Sequence, residues 1–336
     1  MGPAGGRING EDVTRAKQQV VTARASRGKM SDVRSCDVVV VGGGPAGLSA
    51  ALILARCRRH VVVCDAGRPR NAAAAHSHGF LTRDGMPPLD LLACGRDELR
   101  RYDVEVRPDE VTAIEPTADG VVVRLADGTR LAARKALLAT GVTDVLPDLP
   151  GFGEFYGTSI HHCPYCDGWE NRDRALAVYG RPDEASGLAL DLLTWSRDLL
   201  VCTDGVRLTP KSRARLAAAG IPVRTEKIDR LEGADGRLAR IVFARGAAVA
   251  REAMFFTTGQ GQRSPLAGQL GCRFTSTGHV RCDRKGRTGV PNLFIAGDAN
   301  GDVQFVVVAA AEGAKAAVAI NKELQEDERA SVVPGS

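Results

Sequence analysis

Cys36-Asp37-Val38-Val39-Val40-Val41-Gly42-Gly43-Gly44-Pro45-Ala46-Gly47 is the stretch that decides how the chain is read. Val38 to Val41 is an unbroken β-branched run, which suits a parallel strand covered on both faces. It leads into Gly42-x-Gly44-x-x-Gly47, an Ala- and Leu-rich helix over 48–58, and a second apolar strand over 60–64 that ends at Asp65. Strand, glycine turn, helix, strand and acid within about 30 residues make a dinucleotide-binding unit. Gly42 permits the tight turn, Gly44 lets a pyrophosphate approach the backbone, and Gly47 lets the helix pack close to the strand. The N-terminus of the helix that follows offers free N–H groups and a positive end that favour phosphate. Asp65 stands where a carboxylate bonds an adenosine ribose.

Outward from this unit, the theme recurs. The pattern predicts a strand over 176–179, a turn at Gly180, a helix over 184–195 and a strand over 199–202. A strand over 135–138 leads into Ala139-Thr140-Gly141. Another, over 293–296, closes on Gly297-Asp298 before an Ala- and Val-rich helix over 304–324. The Asp298 carboxylate suits either a polyol chain or the cap of the following helix. Two such units predict an α/β chain with two nucleotide-type domains, in keeping with 336 residues at roughly 150 per domain. Residues 1–34 read as a leader with a short helix over 13–25, and the fold is expected to begin at Cys36.

Composition narrows the function classes. Hydrophobic residues at 44% and charged residues at 25% are ordinary for a globular protein. Basic and acidic residues are interspersed, so the net charge of +5 forms no nucleic-acid stripe. Aromatics at 4% argue against a base-stacking surface. No apolar run approaches the length of a membrane span, and the polar start lacks a signal peptide's apolar core, so a cytoplasmic location is expected.

Seven cysteines are scattered singly and read as free thiols. Cys163 and Cys166 stand apart, in Cys163-Pro164-Tyr165-Cys166-Asp167. Their spacing allows a disulfide or one stabilised thiolate, and Asp167 could move a proton beside them. A zinc site would need two more ligands. His161 and His162 adjoin the pair, but no second Cys-x-x-Cys exists, so no metal is expected.

These motifs, in this order, resemble the low-molecular-weight thioredoxin reductases, and the resemblance spans roughly 36–324. It rests on Gly42 to Gly47, Ala139 to Gly141, Cys163 to Gly168 and Gly297-Asp298. It implies a thioredoxin reductase-like α/β fold with two Rossmann-like domains and a discontinuous FAD domain (35–148 and 262–326). A central domain (149–261) would carry the cysteines, with a tail over 327–336, and the protein would be a homodimer. The implied FAD contacts are Gly42, Gly44, Pro45, Ala46, Gly47, Asp65, Asn71, Thr82, Val111, Thr140, Gly141, Gly297, Asp298, Gln304 and Phe305. Cys166 would face the flavin, Cys163 would be the outer sulfur, and Asp167 would shuttle the proton. His162 or His161 would deprotonate the substrate thiol, the other being a polar loop residue.

The resemblance breaks at the second nucleotide turn. Gly180-Arg181-Pro182-Asp183-Glu184-Ala185 has Pro182 where a glycine should admit pyrophosphate, and two acids at the helix start. The next strand is followed by Cys202-Thr203-Asp204-Gly205 in place of a basic cluster for a 2′-phosphate. These departures argue against NADPH. An FAD protein with a redox disulfide and no nicotinamide site is similar to the dithiol oxidases that close the disulfides of gliotoxin, holomycin and romidepsin. A small-molecule dithiol of dithiolopyrrolone type would then be the donor and O2 the acceptor, giving H2O2. The alternatives are an NADPH- or ferredoxin-dependent disulfide reductase and a flavin sensor without turnover.

Overall fold

The computed structural model describes residues 34–332; the expected leader and short helix lie outside them. The chain begins with β1 (Arg34–Val41), α1 (Pro45–Arg56), β2 (Val61–Cys64), α2 (Pro88–Leu99), β3 (Glu105–Arg107), β4 (Val111–Thr117), β5 (Gly120–Leu125), β6 (Arg130–Leu138) and β7 (Val142–Asp144). It continues with β8 (Ile160–His161), α3 (Pro164–Asp167), β9 (Leu176–Gly180), α4 (Pro182–Leu192), β10 (Leu199–Cys202), α5 (Pro210–Ala218) and β11 (Val223–Arg224). The last part holds β12 (Ile228–Ala234), β13 (Arg237–Phe243), β14 (Val249–Ala250), β15 (Ala253–Thr257), β16 (Gln260–Gln262), β17 (Leu293–Ile295) and α6 (Val306–Val332).

The first sheet has the order β3-β2-β1-β6-β5-β4, with β17 on β6. β6 is long enough to serve several partners: β1 parallel, β5 antiparallel at its start, and β17 parallel at its end. The valine run behaves as a doubly covered strand should. Val38 and Val40 pack with Leu54, Ala316 and Ile320 under α1 and α6. Val39 and Val41 enter the opposite core with Val123 and Leu138. Leu54 is fully buried there, so its truncation to Ala would cost about 2–5 kcal/mol.

The second sheet, β11-β10-β9-β15-β8, is wholly parallel. α4 and α5 cover one face through Ala185, Ala189, Leu192 and Leu216. The antiparallel β12-β13-β14 covers the other through Leu231 and Ile241. β7 continues from β6, β16 follows β15, and the two pair antiparallel as the crossings between the sheets. The α/β class and both strand–turn–helix units are as the sequence indicates.

Boundaries differ for identifiable reasons. α1 and α4 begin earlier than expected because Pro45 and Pro182 sit in the first helical turn, where a missing N–H costs nothing. Among the described residues β1 already includes Arg34 and Ser35, before the expected start at Cys36, and Arg34 pairs with Leu131. α6 continues past Leu324 and through the expected tail to Val332. Its polar last turns are held by ion pairs instead of apolar periodicity: Lys135 with Glu323 (3.2 Å) and Asp327 (3.3 Å), and Arg134 with Glu328 (2.8 Å).

Candidate active site

A cavity of about 760 Å³ opens between the sheets, floored by the first glycine turn. Gly42 has φ +109°, and a Cβ there would run into the Ala139 carbonyl. Gly43 lies against the Asp65 side chain. Gly47 sits behind the turn, where a Cβ would strike the Gly42 carbonyl; it closes helix onto strand and does not face the cavity. Gly44, the N-cap of α1, faces open space. The turn is therefore packed everywhere except where a phosphate group would lie, beside the helix N-terminus. Pro45, Ala46, Asp65, Asn71, Val111, Thr140 and Gly141 all line the cavity. The residues present thus fit a dinucleotide cofactor.

Gly297, Asp298, Gln304 and Phe305 line it too, with Gly297 against Ala46 at the start of α1. Glu312 of α6 accepts the Gly297 N–H (2.7 Å) and the Asn300 side-chain amide (2.8 Å), fixing the turn that carries Asp298. Burial raises its pKa above the usual carboxylate range, against those two hydrogen bonds. Arg70 crosses this part of the cavity. It donates to Asp144 through two nitrogens (2.6 and 3.0 Å), to Asp298 (3.1 Å) and to Gln304 (2.7 Å). Asp144, on the β7 crossing, also accepts from the Tyr156 hydroxyl (2.7 Å) and from Gln260 on β16 (3.1 Å). Burial works against ionisation at Asp144, but the Arg70 bonds and charge outweigh it and hold the carboxyl below its usual range.

The cysteines are a disulfide, Cys163–Cys166, in and just before the single turn α3, with the Cα atoms 5.3 Å apart. Cys166 lines the cavity; Cys163 is half-buried and off its wall. Cys163 Sγ accepts the Cys166 N–H at 3.1 Å. Asp167, His161 and His162 line the cavity beside them. Asp167 Oδ1 lies 3.3 Å from Nδ1 of His161, whose Nε2 is buried without a hydrogen-bond partner. His162 faces a different field: burial and then the Arg70 charge lower its pKa, against the opposing pull of Asp144 and Asp167.

One predicted contact is misplaced. Thr82 is not on the cavity wall; it stands exposed at φ +73° in a turn closed by the Arg83 N–H to the Phe80 carbonyl. A tight turn carries its tip outward, and the chain reaches the cavity just before it, at His76, Ser77 and His78. Arg70, Asp144, Tyr156 and Glu312 were missed. Arg70 was passed over beside Asn71, and no motif marks the other three.

The second glycine turn is built differently. Gly180 has φ +151°, and Arg181 caps α4 without a side-chain bond. Asp183, at the helix start, accepts from the Thr209 hydroxyl (2.8 Å) and from Ser212, and these bonds lower its pKa. Asp204 accepts the Ile228 N–H (2.8 Å) and the Tyr179 hydroxyl (3.3 Å).

The family model of pyridine nucleotide-disulphide oxidoreductases matches residues 36–313. A probable thioredoxin reductase of Arthroderma benhamiae is 33% identical over 89% of this chain and 82% of its own length. Among solved structures, HlmI superposes with a TM-score of 0.85 at 40% identity, covering 89% of this chain and 95% of HlmI. A putative thioredoxin reductase, TrxB, of Bacillus anthracis gives 0.84 at 34% identity, covering 87% and 99%. The match across both sheets, with the disulfide lying between them, means that the chain belongs to the pyridine nucleotide-disulphide oxidoreductases, as a thioredoxin reductase-like oxidoreductase of flavoprotein type.

Proposed function

We propose that the protein is an FAD-dependent dithiol oxidase that closes an intramolecular disulfide in a small molecule, dithiolopyrrolone-like in type, with O2 as final acceptor. The observation that carries the reading is the contrast between an open first nucleotide turn and a second whose helix start is taken up by Asp183. Phosphate needs free N–H groups and cations; the second turn offers Pro182, two acids and Asp204. NADPH therefore lacks its usual contacts, and electrons enter through the cysteines.

FAD would be held by the Gly42–Gly47 turn, Asp65 and Asp298 in the cavity, where it supplies two-electron transfer between a thiol pair and oxygen. The residues of the chain do the thiol chemistry. One substrate thiolate attacks Cys163 Sγ, the Cys163–Cys166 bond breaks, and Cys166 leaves as a thiolate. The second substrate thiolate displaces Cys163 from the mixed disulfide. The substrate has then lost two electrons and two protons, and the cysteine pair has gained the electrons. His162, kept neutral by burial and by Arg70, suits the first deprotonation. Asp167, on the cavity wall beside Cys166, suits the proton shuttle, with His161 held at its carboxylate. Over the full cycle, dithiol and O2 become disulfide and H2O2.

The chain is proposed to work as a cytoplasmic homodimer with one FAD per subunit. Light scattering and the flavin absorption of purified protein check both. The activity itself is tested by oxygen uptake with dithiothreitol. Peroxide formed in equal amount to dithiol consumed is the expected result; no uptake, with rapid flavin reduction by NADPH, would return the chain to disulfide reduction.

A further inference from the structure

We infer that three aromatic rings beside the disulfide, Tyr165, Trp195 and Phe305, form the substrate-recognition surface and select a small dithiol carried on a flat apolar ring. This rests on the dithiol-oxidase reading and names its substrate class. The chain has few aromatic residues, yet one of its two tryptophans and one of its four tyrosines lie here. Tyr165, between the two cysteines, stands edge-to-face with Trp195 at 5.5 Å and with Phe305 at 6.4 Å between ring centroids. It remains 70% exposed.

The cluster is braced. Gly168 makes room for Trp195, since a Cβ there would come within 2.7 Å of the indole. Phe305 arrives from the segment leading into α6, and it lines the same cavity as Cys166. The rings thus run from the cavity lip to the exposed turn that carries the half-buried Cys163. A thiol attacking Cys163 from the solvent side of that turn would meet Tyr165, which stands 70% exposed beside it. Trp169 is also exposed, but the Arg172 guanidinium sits 4.2 Å from its ring and covers one face.

Aromatic pairs favour offset or edge-on partners, so a ring on the substrate gains affinity that a polar, open-chain dithiol does not. A half-buried sulfur beside rings from three parts of the chain suits a compact ligand better than the broad face of a folded protein.

The test compares ortho-xylenedithiol, with two mercaptomethyl groups on adjacent ring carbons, against dithiothreitol. Both are alkyl thiols that close a six-membered disulfide, and only one carries a flat ring. The kcat/KM ratio of the two is measured by oxygen uptake for wild type, Tyr165→Ala and Tyr165→Phe, each at matched flavin content. Wild type is expected to prefer the ring dithiol. Tyr165→Ala should cut the ratio by about tenfold, and Tyr165→Phe, which keeps the ring, should hold it within about twofold. A ratio unmoved by Tyr165→Ala overturns this inference alone. The same holds if the variant slows oxidation of reduced thioredoxin more than that of ortho-xylenedithiol. If wild type oxidises neither small dithiol, the parent reading fails and this inference fails with it.

Discussion

The turns at Gly42–Gly47 and Gly180–Ala185 start from one pattern, a buried parallel strand feeding a helix through glycine, and present opposite surfaces. In the first, every glycine but Gly44 is pressed against the protein, and Gly44 opens onto a cavity at a helix start free of acids. In the second, Arg181 stands at the N-cap where the first has Gly44, and Asp183 is tied by Thr209 and Ser212 to the start of the neighbouring helix. Backbone shape alone does not make a phosphate site. Free N–H groups without a resident carboxylate do, and on the proposed reading a few side chains close the second site while the fold persists.

The largest expected effect separates the relay from the cradle. Cys163→Ser and Cys166→Ser should each lower dithiol oxidation by roughly 1000-fold or more, because residues acting as one unit fail together. Flavin content should stay near wild type in both, measured by absorption after purification. If either variant keeps substantial turnover, the substrate does not pass through the disulfide.

Damage to the open turn should do the reverse. Gly42→Val places a branched side chain at φ +109° against the Ala139 carbonyl. Strain of roughly 1–3 kcal/mol should weaken flavin binding by about five- to a hundredfold. Equilibrium titration of apoprotein with FAD reads this directly, and unchanged affinity would remove the first turn from the cofactor site.

Opening the closed turn should gain little. Pro182→Gly with Asp183→Ser frees an N–H and removes an acid but leaves Asp204 in place. The rate of flavin reduction by NADPH should rise by about tenfold at most. A rise to wild-type dithiol rates would mean that those two residues alone kept NADPH out.

The smallest effect concerns pH. His162 acts as a base only when neutral, and burial with the Arg70 charge lowers its pKa. The acid limb of the kcat/KM profile should therefore fall below about pH 6.5, the ordinary histidine value. Arg70→Met removes that charge and leaves the pull of Asp144, so the limb should move upward. A limb that stays fixed would take His162 out of the first deprotonation.

The sequence made the cradle legible because each of its features is local. A β-branched run, fixed glycine spacing and a terminal Asp65 need no knowledge of distant contacts. The cysteine pair was legible for the same reason. The Arg70–Asp144 cluster was not, because it joins residues 74 positions apart and runs on to Asp298 and Gln304. The end of α6 was misjudged because ion pairs to Arg134 and Lys135, not apolar periodicity, hold its last turns. Thr82 was misplaced because sequence position places a residue in a segment but does not say which side of a turn it occupies. Between the two histidines, spacing could not decide: His161 meets Asp167, while His162 meets the field of Arg70 and Asp144.

The central claim is that electrons enter from a dithiol through Cys163 and Cys166. Anaerobic rapid mixing of the flavin-loaded protein, first with dithiothreitol and separately with NADPH, tests it most directly. The dithiol should bleach the flavin within the turnover time, Cys166→Ser should abolish this, and stoichiometric NADPH should leave the flavin largely oxidised over the same period. Rapid bleaching by NADPH, with the dithiol inert, would contradict that claim.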